Sequence, residues 1–207
     1  LYTDVNINGT INMLDASCES EVEGFVFAST SSIYGETKQI PFSEKLKCGK
    51  PLAPYPATKG ACEFLGYSYY NTSNLNFTAL RFFSVYGPRG RPDMMPHIII
   101  RSIDEEKEIT LFDGGVLERD WTYIDDIVSG IYSAININRG YEIINLGRGS
   151  PQSMKKFVKK IEVLMGKKAI IKEVKAPVTE PKVTYADISR AKKILDYNPV
   201  IEIDEGL

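Results

Sequence analysis

Histidine is all but missing from this chain. The one present, His97, stands in DMMPHIII with no second His or Cys at ligand spacing, so it reads as a surface or helix-start residue and no metal site is expected. The three cysteines, Cys18, Cys48 and Cys62, are an odd number without metal-ligand spacing, which excludes a disulfide framework and suggests a reducing, cytoplasmic setting. No apolar run approaches the roughly 18 residues that a membrane span needs, and the N-terminus lacks a charged region followed by an apolar one. No block of like charge occurs either. With 25 basic and 27 acidic residues and a formal charge of −2, neither nucleic acid nor a membrane is expected as a partner. Lys155, Lys156, Lys159 and Lys160 do cluster, but in SMKKFVKKIEVLM they form the solvated face of an amphipathic helix. Also absent is a glycine fingerprint of the G-x-G-x-x-G or G-x-x-G-x-x-G type. The chain opens inside a helix instead of on a first strand, so it is expected to be cut at both ends.

What is present suffices for a core, since 43% of the 207 residues are hydrophobic. VNINGTINMLDAS reads as a helix and VEGFVFAST as a buried strand that ends in small hydroxyl residues. Residues 36–54 are polar and carry proline, a loop. ATKGACEFLGYSYYNT is the next helix, with Pro56 suited to its first turn, and NFTALRFFSVYG is a second buried strand stopped by Gly87 and Pro88. Helix, strand, helix, strand, with crossovers between them, predicts a parallel α/β sheet covered by helices. Beyond GPRGRPDMM the pieces shorten: helices around HIIIRSIDEEK, IDDIVSGIYSAIN, SMKKFVKKIEVLMG and DISRAKKIL alternate with strands EITLFDGG, YEIINLG and AIIKEV. The expected organisation is therefore an α/β fold in two parts. Residues 1–92 are the C-terminal part of a Rossmann-like parallel sheet lacking its N-terminal half. Residues 93–207 are mainly a smaller α/β substrate-binding cap domain, with segments returning to the main sheet.

Tyr55 and Lys59 raise the chemical question. Residues four apart on a helix share a face, so this pair can point into one cleft. A second Tyr-x-x-x-Lys, Tyr34 and Lys38, contains Gly35 and lies in a turn where its side chains need not converge. In open parallel sheets ligands sit beyond the carboxyl ends of strands, where Ser29, Thr30, Ser31 and Ser32 end one strand and Arg81 to Tyr86 the next. A tyrosine acting as a base at neutral pH must lose its proton about three pH units below its ordinary value, which costs about 4 kcal/mol. An ammonium group some 4 Å away supplies that order of energy at an effective dielectric of about 20.

FASTSSIYG, YPATK, LRFFSVYGPRGRPDM, RDWTYIDDIV and VTYADIS, in this order, resemble the extended short-chain dehydrogenase/reductase (NAD-dependent epimerase/dehydratase) superfamily, most closely its UDP-glucuronate 4-epimerases. The resemblance runs from about Val5 over nearly the whole chain. It implies NAD as cofactor, and it implies that Tyr55 takes a proton from the sugar 4-hydroxyl, Lys59 holds the nicotinamide ribose, Thr30 bridges to the same hydroxyl, and the Phe83 backbone approaches the nicotinamide. Dehydratases of the superfamily carry an Asp-Glu pair where Ser31 and Ser32 stand, and the related decarboxylases carry Glu at Ser32. The resemblance further implies that Ser31, Ser32, Ser84 and Arg91 surround a substrate carboxylate, a contact for which serine hydroxyls and a guanidinium are chemically suited. Arg119 corresponds to a family arginine near the diphosphate, and Glu180 to an acidic residue that accepts from uridine ribose hydroxyls.

The expected function is thus a UDP-sugar 4-epimerase, with UDP-glucuronate as substrate and a homodimer built on the helix that carries Phe64 and Leu65. The alternatives are UDP-glucose 4-epimerase or UDP-glucuronate decarboxylase on the same fold, or an inactive nucleotide-sugar-binding fragment. Among simpler structural roles, Ser31 and Ser32 could satisfy backbone groups, Arg91 could be a solvated loop residue, and Arg119 could pair with Asp120, Asp125 or Asp126.

Overall fold

A computed structural model describes residues 1–35 and 37–207. A short π-helical segment, Thr3–Asn8, runs straight into α1 (Gly9–Glu19), which hands the chain to β1 (Gly24–Thr30) and a 3-10 turn, Ser31–Tyr34. After the polar loop come α2 (Pro54–Ser73), β2 (Asn76–Phe82) and β3 (Ser84–Tyr86). The remainder is α3 (Met95–Asp104), β4 (Glu108–Phe112), β5 (Glu118–Arg119), β6 (Trp121–Tyr123), α4 (Ile124–Ile135), β7 (Tyr141–Leu146), β8 (Gln152–Ser153), α5 (Met154–Met165), β9 (Ile170–Val174), α6 (Ser189–Leu195) and α7 (Ile203–Gly206).

β1, β2 and β7 form the main sheet, in that order and all parallel. Parallel strands are covered on both faces, which is why β2 is buried without alternation from Phe77 to Arg81. On one face α1 and α2 pack over Leu14, Phe27, Cys62, Phe77 and Ala79; on the other α4 and α6 pack over Leu80, Ile127, Ile144, Leu146, Ala191 and Leu195. Pro54 and Pro56 suit the opening turn of α2, where backbone N–H groups have no helical partner, and Asn74 in the left-handed region ends it. A second core joins α3, α5 and α7 around Ile99, Ile103, Trp121 and Phe157, with the Trp121 and Phe157 rings stacked at 4.3 Å. α5 starts at Ser153, whose hydroxyl accepts from the Lys156 N–H at 3.3 Å, and it turns Phe157, Val158 and Ile161 inward while Lys155, Lys156 and Lys159 face solvent.

One expectation is corrected. NFTALRFFSVYG is two strands, broken at Phe83. The ladder of the main sheet stops at Thr30, Phe82 and Leu146, so the next donors must find partners elsewhere. The Phe83 N–H closes onto the Leu146 carbonyl at 3.1 Å, the Ser84 N–H turns to the Asp120 carbonyl at 3.0 Å, and β3 then pairs with β6. The break sits at the carboxyl edge of the sheet.

Candidate active site

The carboxyl end of β1 places three hydroxyls beside the start of α2. Thr30 is buried, and its Oγ1 accepts from the Ser32 N–H at 3.2 Å, starting the 3-10 turn; Ser31 is buried behind it and Ser32 is exposed. That turn packs on α2, and a Cβ at Gly60 would lie 3.9 Å from Ile33 Cγ2. Tyr55 and Lys59 occupy successive turns at the N-terminal end of α2, both half-buried. Lys59 Nζ donates to the Ala28 carbonyl at 2.8 Å and stands over the Phe27 ring, 4.7 Å from its centroid. Burial pushes the Lys59 ammonium below the usual lysine range. The Tyr55 ring tilts against Tyr2, their centroids 5.8 Å apart.

Arg91 is exposed and its guanidinium fork holds Asp93, Nε to Oδ1 at 3.0 Å and Nη2 to Oδ2 at 2.7 Å. This pairing raises the arginine and lowers the aspartate from their ordinary pKa values. Phe83 packs its ring with Tyr34 and Phe42. Its N–H is committed to Leu146, so the backbone group it can turn to a ligand is its carbonyl. Ser84, half-buried, follows directly.

Arg119 and Glu180, 61 residues apart in sequence, meet: Nη2 donates to Glu180 Oε2 at 2.6 Å, and Nη1 donates to the carbonyls of Glu118 and Pro181. The neighbouring aspartates serve other groups. Asp126 takes the N–H groups of Val200 and Ile201, while Asp120, fully buried, takes those of Arg148, Gly149 and Ala186. Because the Asp120 carbonyl also accepts from Ser84, the Arg119–Glu180 pair is tied through one residue to the end of the main sheet.

Sequence reasoning missed the polar row beneath these strand ends. Ser29, Arg81 and Asn145 lie opposite one another across β1, β2 and β7, and Glu63 of α2 closes the row. Arg81 donates to Glu63 through Nε at 2.9 Å and Nη2 at 2.7 Å, and Ser29 Oγ donates to the same carboxylate at 2.6 Å. The Arg81 guanidinium stands over the Tyr34 ring, whose hydroxyl donates to Asn145. Burial raises the Tyr34 phenol above its ordinary pKa. Two signals were available: a charge inside an apolar strand, and an acid spaced four and eight residues from Lys59 and Tyr55 on one helix.

A tyrosine and a lysine one turn apart on a helix that packs on a parallel α/β sheet, whose first strand ends in hydroxyl residues, mark a class of Rossmann-like α/β proteins. Within it, the model of the NAD dependent epimerase/dehydratase family matches residues 1–147, and the chain belongs to that family. It is 46% identical over 208 residues to the UDP-glucuronate 4-epimerase of Thermodesulfobacterium geofontis, and 40% identical over 207 residues to an uncharacterized UDP-glucose epimerase of Bacillus subtilis. All of this chain is covered in both, against 64% and 65% of those proteins. Among solved structures it superposes on the Bacillus cereus UDP-glucuronic acid 4-epimerase, in complex with UDP-glucuronic acid and NAD, with a TM-score of 0.92 at 37% identity, over 99% of this chain and 65% of that one. The chain thus spans just under two thirds of these relatives.

The residues present suit the nicotinamide end of a dinucleotide: a lysine anchored at a strand end, a half-exposed phenol one turn away, and a carbonyl at Phe83 where the ladder opens. Among the described residues no group of three or more His, Cys, Asp or Glu could hold a metal ion, and no helix is long and apolar enough to cross a membrane.

Proposed function

We propose that the complete protein is an NAD-dependent UDP-sugar 4-epimerase acting on UDP-glucuronate. The observation that carries this reading is the placing of Tyr55 and Lys59 on successive turns of α2, with Lys59 tethered to Ala28 two residues before Thr30. NAD supplies reversible hydride acceptance when bound. Tyr55 removes the proton from the sugar 4-hydroxyl and later returns one, Thr30 shares that proton, and Lys59 holds the nicotinamide ribose and favours the phenolate by its charge. With the sugar free to turn in the site, C4 would regain its hydrogen on the other face, with no net redox change. Phe83 would line the cofactor. Ser31, Ser32, Ser84 and Arg91 receive the sugar carboxylate, and Arg119 with Glu180 receives the diphosphate and uridine ribose.

The same reading assigns residues 1–92 to the cofactor domain and 93–207 mainly to the substrate domain, and places the protein in the cytoplasm. It also makes the protein a homodimer through α2, where Phe64 is 74% exposed; light scattering on the complete protein tests the last point. No glycine-rich turn for a pyrophosphate lies within these 207 residues, so turnover is expected from the complete protein and not from this stretch alone.

One observation favours a second reading, UDP-glucose 4-epimerase: the Arg91 fork is already filled by Asp93. NMR of the products formed from each substrate decides. A C4-epimerised uronate is expected from UDP-glucuronate. Turnover of UDP-glucose alone supports the second reading, and a pentose product would mean decarboxylation. Tyr55→Phe should lower kcat by about 10²- to 10⁴-fold with unchanged thermal unfolding.

A further inference from the structure

Glu63 lies four residues beyond Lys59 and eight beyond Tyr55, so on an α-helix the three side chains climb one face in steps of about 6 Å. Glu63 is 4% exposed, and its carboxylate is gripped from both neighbouring strands: by the Arg81 fork from β2, and by Ser29 from β1. Each gripping residue stands at the edge of the proposed site. Ser29 precedes Thr30, and Arg81 lies two residues before Phe83.

A buried ion pair is a poor device for stability, because the desolvation of two charges offsets most of their attraction, and an apolar pair of similar volume would serve as well. It is a good device for direction. A bidentate guanidinium–carboxylate contact fixes distance and orientation together, which an apolar contact leaves loose. The third Arg81 nitrogen, Nη1, finds no hydrogen-bond partner among the described residues, so the guanidinium is set by Glu63 at the expense of full satisfaction of its own donors.

We propose that Glu63, clamped by Arg81 and Ser29, is a positioning residue: it fixes the height and rotation of α2 so that Tyr55 and Lys59 stand in register with Thr30 and Phe83. The proposal rests on the acid–base role given to Tyr55 above. A displacement of about 1 Å at a reacting group can cost on the order of 100-fold in rate, so a clamp two turns away has leverage on turnover without touching substrate.

The test uses the complete protein and three variants. Glu63→Gln breaks the charge pair and leaves Arg81 buried without its counter-ion, so it is destabilised as well as slowed. The double variant Glu63→Gln/Arg81→Gln removes both charges and restores a neutral, hydrogen-bonding pair. Its thermal unfolding is expected to return close to that of the unmodified protein, while kcat for UDP-glucuronate stays about ten- to a hundred-fold low and KM changes less than about two-fold. Recovery of full kcat along with stability would overturn the positioning role and leave the pair a packing device. A rise in KM with kcat intact would overturn it equally, because a misplaced helix should slow the chemistry and spare binding. Tyr55→Phe, assayed in parallel, separates the two levels: if that variant keeps full turnover the acid–base reading itself fails, whatever the double variant does.

Discussion

At the residue scale, the same contacts that hold Lys59 in place make it a costly residue to keep. Its ammonium is half-buried over Phe27 and bonded to a carbonyl, and its pKa is pushed down by burial. A folded pKa below the unfolded one means that folding favours the uncharged amine. The penalty is fully present below the folded value, and it is relieved as pH rises from there through the ordinary lysine value near 10.4. Lys59→Met removes that penalty along with the cation–π contact and the hydrogen bond, each worth about 1 kcal/mol. Its stability at neutral pH is therefore expected within about 1 kcal/mol of the parent, with turnover down at least about 100-fold. Chemical denaturation across pH should show the parent gaining on the variant in alkali, and a gain in the opposite direction would contradict the burial argument. Arg91 carries a complementary prediction. Its exposed pair with Asp93 competes with any incoming carboxylate and is weakened by water. Asp93→Asn should thus lower KM for UDP-glucuronate by about two- to five-fold and leave UDP-glucose unaffected. A raised KM would mean that Asp93 aims the fork instead of blocking it.

At the scale of elements, α2 shows how close packing fixes what the active residues can reach. Gly66 faces Phe77, and a Cβ there would come within 2.4 Å of the ring. The ring has no room to yield, being stacked against Phe25, Phe27 and Tyr141. Gly66→Ala is expected to destabilise by about 1–3 kcal/mol although alanine is the better helix former, whereas Gly60→Ala, with only Ile33 at ordinary contact distance, should stabilise by up to about 1 kcal/mol. Urea denaturation of the two variants reads the difference in sign. α2 and β1 were legible in the sequence because each carries its own period and its own stop signals. The break at Phe83 was not, since apolar residues continue through it and the reason for the break is a change of partner, from Leu146 opposite Phe82 to Trp121 opposite Ser84, both far outside any local pattern. The site residues divide the same way. Tyr55 and Lys59 follow from helical spacing, but the meeting of Arg119 with Glu180, and of Glu63 with Arg81, depends on strand order that no short window contains.

For the whole molecule, Asp120 is where the two cores are braced. It sits between Arg119 of β5 and Trp121 of the second core, yet its carboxylate collects N–H groups from Arg148 and Gly149, just beyond β7 of the main sheet, and from Ala186. Ala186 belongs to the segment that bridges to Phe42. Burial pushes the Asp120 carboxyl up while these N–H groups pull it down. In Asp120→Asn one acceptor oxygen becomes an NH2 group that must face a backbone donor, whichever way the amide turns. A cost of about 2–3 kcal/mol follows from the unpaired groups. More telling than the cost is its location. Trp121 is the only tryptophan and reports on the second core, whereas far-UV circular dichroism reports on all helices and strands. In the parent protein the two signals should unfold together in urea, as one cooperative unit does. In Asp120→Asn they should separate, the tryptophan signal no longer tracking the sheet. Coincident curves in the variant, at whatever midpoint, would mean that apolar contact alone couples the halves and that the carboxylate serves only its own loops.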